Sequence, residues 1–108
     1  MKEAQAIEVL HALSQETRLR IVRYLVGCGE EGASAGEIGK MVDATSSRAS
    51  FHLSALENAG VIASSRQSRR IIYRASFDCL GHAISFLLND CCGAHPDIRA
   101  CCLREGCC

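Results

Sequence analysis

A chain of 108 residues with 12 basic and 12 acidic side chains carries no net charge at neutral pH and has room for one compact domain but not two. Its apolar residues are mostly Ala, Leu, Ile and Val, with few aromatics and no Trp, which suits helix-on-helix packing. No stretch approaches the roughly 18 apolar residues needed to cross a bilayer, and the opening "MKEAQAIEVLHALSQETR" holds no unbroken apolar run of the kind that directs export. The expected address is therefore the cytoplasm, with no membrane partner. Thiols stay reduced there, so the eight cysteines point to metal binding or redox sensing and not to a disulfide framework.

Taken in order, residues 4–13 place Ala6, Ile7, Val9, Leu10 and Leu13 on one helical stripe. Ser14 is the expected cap of a second helix in which Leu19, Ile21, Val22, Leu25 and Val26 face inward, and Gly27 and Gly29 close it. "EEGA" reads as a loop. Ser34, three residues before Glu37, has capping-box spacing and opens a short helix with Ile38, Met41 and Val42 inward. "DATSS" is a turn rich in capping side chains. A further helix spans about 46–58, with Ala49, Leu53 and Leu56 inward and Ala59-Gly60 at its close. "VIASSR" and "RRIIYRA" read as two strands joined across Gln67-Ser68, although the usual Asn-Gly or Asp-Gly signal is missing. "SFDCLGHAISFLLNDCC" reads as one helix with Leu80, Ile84, Leu87 and Cys91 along a line, broken by Gly93 and Pro96. One or two more helical turns are expected in "DIRACCLREG".

The expected fold is thus mainly α with a small β-hairpin, in the order α-α-α-α-β-β-α, with residues 1–92 as a winged helix-turn-helix domain and residues 93–108 as a Cys-rich tail. Charge supports a nucleic-acid role. Residues 43–75 carry Arg48, Arg66, Arg69, Arg70 and Arg74 against only Asp43 and Glu57, a local basic patch on a neutral chain. The second helix of a helix-turn-helix lies in the major groove with its N-terminal residues at the bases. Here those residues are Thr45, Ser46, Ser47, Arg48, Ser50 and His52. Their hydroxyls and the unpaired N–H groups of the helix start suit phosphate oxygens, and Arg48 suits a bidentate bond to guanine. Arg66, Arg69 and Arg70 crown the hairpin beside them.

The stretches "LSQETRLRIVRYL", "SAGEIGKMV", "TSSRASFHLSALENAGVI" and "RRIIYRA", within residues 10–75, resemble the ArsR/SmtB family of metal- and metalloid-sensing repressors, most specifically through "SFHLSALENAG". The resemblance implies a winged helix-turn-helix repressor of double-stranded operator DNA, a homodimer through its first and last helices, and loss of DNA binding when a metal or metalloid is bound. Members of the family usually carry an acidic residue and Gly at the wing tip, where this chain has Ser68 between Gln67 and Arg69. The family's Cys-x-Cys site on the helix before the turn is absent from "ASAGEIGK", and its interfacial zinc site finds only Asp78 and His82.

"FLLNDCC" does look like the C-terminal Cys-Cys of members that sense trivalent arsenic or antimony. The chemistry is coherent, because As(III) exchanges three oxygens for three thiolates and soft ligands select soft centres. Cys91 and Cys92 supply two thiolates, Cys101 or Cys102 the third, and Cys107–Cys108 stand behind them. The same tail fits other thiophilic metals (zinc, cadmium, lead, copper), a cysteine redox or persulfide switch or, more remotely, a metal-buffering protein without DNA binding. Cys28 and Cys79, each alone at a helix end, are expected to be structural. The sequence has no paired carboxylates, nucleophile-base set or phosphate loop, so no enzyme, organic cofactor or small organic substrate is expected.

Overall fold

The computed structural model describes residues 1–104; the Cys107–Cys108 pair lies outside the described residues. Helix α1 (Glu3–Leu13) is followed by α2 (Glu16–Cys28), a single 3-10 turn (Gly29–Glu31) and a two-residue strand β1 (Ala33–Ser34). Then come α3 (Ala35–Val42), α4 (Ser46–Asn58), β2 (Ile62–Gln67) and β3 (Arg70–Ala75). Helix α5 (Phe77–Ser85) runs into a wide π turn (Phe86–Cys91), and α6 (Pro96–Leu103) ends the described chain. The strands form one antiparallel sheet in the order β1-β3-β2, with Ile62 opposite Ala75 and Gln67 opposite Arg70.

Local chemistry accounts for most boundaries. The Gln15 side chain, not Ser14, caps α2 by accepting from the Arg18 N–H at 2.8 Å. Ser34 and Glu37 form the full capping box of α3, which satisfies N–H groups that no helical carbonyl can reach. Asp43, with φ 54°, ends α3 in the left-handed region, and the chain enters α4 under the Thr45 cap. Gly32 has no substitute: a Cβ there would sit 2.4 Å from the Tyr73 carbonyl oxygen, so the approach of β1 to β3 needs a bare backbone.

One core joins the elements. Val9 and Ala12 of α1, Ile21, Val22 and Leu25 of α2, Ile38 of α3 and Leu53 and Leu56 of α4 are buried with Val61, Ile62 and Ala83. Burying a Leu or Ile contributes about 1.5–3 kcal/mol, so this contiguous set is what fixes α4 against α2 and α3.

Four expectations need correction. Leu19, Val26 and Met41 face outward and not inward, and Ile7, Leu10 and Ile84 of the helical stripes are exposed as well. The hairpin turn falls on Ser68-Arg69, one residue later than expected, with Ser68 at φ 59°. The last long helix is interrupted: after Ser85 the chain widens into the π turn, and the Cys92 N–H reaches back five residues to the Leu87 carbonyl. Pro96 does not break a helix but starts one, at a position where a missing N–H costs nothing, with the His95 ring accepting from the Asp97 N–H. Strand β1 adds to the expected order, and α6 is the one or two further helical turns expected after Pro96.

Candidate nucleic-acid interface

Helix α4 presents its first half to solvent. Ser46, Ser47, Arg48 and Ser50 are exposed, while Ala49, Leu53 and Leu56 anchor the opposite side in the core. Thr45 Oγ1 accepts from the Arg48 N–H at 3.3 Å. The cap leaves the Ser46 and Ser47 N–H groups pointing out of the helix start, a positive end suited to anions.

His52 is a correction. Expected among the exposed readers, it is only 8% exposed, and its Nδ1 is buried with no hydrogen-bond partner in the protein. Burial first, and then the Arg18 and Arg48 charges, holds its imidazole below the usual histidine value. Phe51 takes the outward place instead, 67% exposed and edge-on to the His52 ring at 5.5 Å. The sequence reading passed over Phe51. The signal was there, since Phe51 falls off the Ala49, Leu53, Leu56 stripe, and an apolar ring on a groove-facing helix can meet a thymine methyl.

The hairpin lies beside α4 and is tied to it where Ser64 Oγ donates to Glu57 Oε2 at 2.6 Å. Its arginines are not equivalent. Arg70 Nη2 donates to Glu37 Oε1 at 2.5 Å, which links the wing to the start of α3. The Ser34 hydrogen bonds, and then Arg70, hold the Glu37 carboxyl below its ordinary value. Arg74 is a structural tie, donating to the Glu30 carbonyl and to Ser65 Oγ. Arg66, near the end of β2, and Arg69, in the turn, are exposed. The wing thus carries two arginines at its tip and a third braced against α3.

The cysteines fall into separate groups. Cys28 and Cys79 are half-buried, and burial pushes the Cys79 thiol up. Cys91 and Cys92 meet at the end of the π turn, where burial and a hydrogen bond with Cys91 push the Cys92 thiol up. Cys101 and Cys102 are exposed on α6. Among the described residues no three His, Cys, Asp or Glu side chains are grouped to hold an ion, so a three-thiol set from Cys91, Cys92 and Cys101 or Cys102 is not assembled there. No helix among the described residues is long and apolar enough to cross a membrane.

Known proteins share this arrangement. The helix-turn-helix domain family matches residues 13–65. The HTH-type transcriptional regulator YgaV of Escherichia coli (strain K12) is 34% identical over 85 residues, 79% of this chain and 84% of that protein. An ArsR-like transcriptional regulator from Rhodococcus sp. RHA1 superposes with a TM-score of 0.72 at 29% identity, over 93% of this chain and 90% of that one. The chain belongs to the HTH-type transcriptional regulators, and its fold is similar to that of ArsR-like members. NolR from Sinorhizobium fredii has the same fold, with a TM-score of 0.63 and 26% identity over 80% of this chain and 83% of its own. In this HTH-type regulator α3 and α4 are the DNA-binding helix-turn-helix and β2–β3 the wing, and the protein is a transcriptional regulator and not an enzyme.

Proposed function

We propose that the protein is a homodimeric repressor that leaves its operator when trivalent arsenic or antimony is taken up by Cys91, Cys92 and a third thiolate from Cys101 or Cys102. The observation that carries this reading is the placement of Cys91 and Cys92 side by side at an interrupted helix end, where Cys91 helps to push the Cys92 thiol up. Inside a regular helix, neighbouring side chains diverge by about 100°. Here the regular helix has ended before the pair, with Cys91 closing the π turn and Cys92 just past it. Each thiol that replaces a hydroxide on As(III) releases one water, so three thiols and arsenous acid give the trithiolate and three waters. The donor set fits a soft centre better than a hard cation. Gly93 and Ala94, both in the left-handed region, turn the chain just after the pair, which puts α6 on a short connection able to deliver a third thiol.

Coupling to DNA runs through α5. Phe77 and Ile84 on α5 are exposed, as are Ile7 and Leu10 on α1, and apolar surface of this kind belongs in a subunit contact. Drawing α6 onto the π turn would shift α5 and with it the spacing of two α4 helices, which a dimer holds about 34 Å apart on successive turns of DNA. A coupling of about 1–3 kcal/mol lowers DNA affinity roughly 5–150-fold, enough for control.

The test is fluorescence anisotropy with duplex DNA from upstream of the coding sequence, with and without arsenite. Wild type is expected to bind in a salt-dependent way and to release with arsenite. Cys91→Ser combined with Cys92→Ser is expected to bind equally well and to ignore arsenite. Release by arsenite that survives the double substitution overturns the assignment. X-ray absorption on the loaded protein is expected to count three sulfur neighbours.

A further inference from the structure

Beside the helix-turn-helix, where the start of α2 meets the first turns of α4, lies an open cleft of about 360 Å³ lined by Gln15, Ser47, Arg48, Phe51 and His52. No carboxylate lines it. Glu16, the nearest acidic residue in sequence, is ion-paired with Arg20 at 2.7 Å. The donors, by contrast, are in excess. Gln15 spends its oxygen on the Arg18 N–H, which leaves its amide NH₂ to donate. Ser47 contributes a hydroxyl and, as the second residue of a 13-residue helix, an unpaired backbone N–H. Buried His52 closes the cleft with an Nδ1 that has no partner in the protein. Buried polar atoms are almost always satisfied. One orphan nitrogen beside the Arg48 guanidinium, the Gln15 amide and a helix N-terminus, with no carboxylate in the lining, leaves room for an anion.

We propose that this cleft seats a phosphodiester of duplex DNA, so that Arg48, with Gln15 and Ser47, clamps the backbone and does not read guanine. The proposal rests on the DNA-binding assignment of α4 and deepens it, extending the interface to the start of α2. Phosphate contacts set the register of a recognition helix without carrying sequence information. With Arg48 turned to the backbone, base reading passes to Ser46, Ser50 and Phe51 on the exposed face of α4.

The two roles predict different losses. A backbone contact weakens binding equally on all sequences and lowers the salt dependence, whereas a base contact weakens one sequence and relaxes specificity. The experiment compares wild type, Gln15→Glu and Arg48→Gln on the upstream duplex and on a random-sequence duplex of equal length, from 50 to 200 mM sodium chloride. Gln15→Glu keeps an oxygen on the Arg18 N–H, so α2 stays capped, while it adds a negative charge to the cleft; an unchanged thermal melt checks the fold. Each variant is expected to lose about tenfold in affinity, the size of one charge-assisted hydrogen bond, by the same factor on both duplexes. The slope of log K against log salt is expected to fall by about 0.9 per protomer. A loss for Arg48→Gln confined to the upstream duplex, or full affinity for Gln15→Glu on both, overturns the proposal while leaving DNA binding intact. Inorganic phosphate that binds the cleft of wild type but not of Gln15→Glu while leaving bound DNA in place, at matched ionic strength, would assign the cleft to a free anion and overturn the DNA assignment. Wild type that binds neither duplex would remove the DNA reading on which the proposal stands.

Discussion

At His52 burial and neighbouring charge act in the same direction. The imidazole lies under α4, and Arg18 and Arg48 both oppose a proton there. The folded protein therefore gives up that proton at a lower pH than the unfolded chain. Above the unfolded value of about 6.5 both states hold neutral His52 and nothing is at stake. As pH falls through that value the unfolded chain takes up a proton that the folded protein refuses, and stability is lost until the lower folded value is reached. The urea midpoint of wild type is expected to drop between pH 7 and pH 5, and the drop to shrink in His52→Gln. Equal drops in the two proteins would show that another group controls this range. Glu37 acts in a separate window, since its depressed carboxyl contributes stability that is lost only as pH falls through the carboxylate range. The position of His52 was legible: residues 49, 52, 53 and 56 share one helical face, so the spacing that put Ala49, Leu53 and Leu56 inside also puts His52 there. Residue type, a histidine in a serine-rich stretch, pointed the other way, and periodicity was the better guide.

At the scale of elements, the wing shows what a short pattern can and cannot fix. The apolar run "IIYRA" and its partner strand are visible in composition, so the hairpin was expected, but its register depends on the turn. Ser68 sits at φ 59°, where a side chain strains the backbone and Gly does not. Ser68→Gly is expected to stabilise the folded protein by about 1 kcal/mol, near 4 °C in Tm for a domain of this size, and Ser68→Val to destabilise it. Calorimetry on the two variants checks the turn, and a Val variant that melts at or above wild type would rule out the left-handed position. Strand β1 was not legible at all, because two residues carry no period and Ala33-Ser34 is a strand only through its pairing with Tyr73 and Ile72. The π turn was hidden for a related reason. Leu80, Ile84, Leu87 and Cys91 fit an ordinary helical line, and six residues are too few for spacing to separate a regular turn from a wide one. The capping box at Ser34 and Glu37 was read correctly because it depends on side-chain chemistry at a fixed offset.

Over the whole molecule, the core is concentrated in α1–α4 and the sheet, and the last third is only lightly attached. Neither the π turn nor α6 contributes a buried residue. The radius of gyration, 15.0 Å, exceeds the roughly 13 Å of a compact chain near this length. Ile84, 55% exposed on α5, and Ile7, 58% exposed on α1, explain why α5 needs a second surface to pack against. In the proposed dimer that surface is the other subunit, which also makes DNA binding bivalent: once one α4 is seated, the second binds at a high effective concentration. Ile84→Asp places a charge on this face without touching the core of the single chain. It is expected to sediment with the mass of one chain, to keep its helical circular dichroism, and to lose at least about tenfold in DNA affinity through loss of the second site. An Ile84→Asp protein that remains dimeric and binds DNA like wild type would place the subunit contact elsewhere. The route from the Cys91–Cys92 pair to α4 would then have to run within one chain, through Ala83 and its contact with the core.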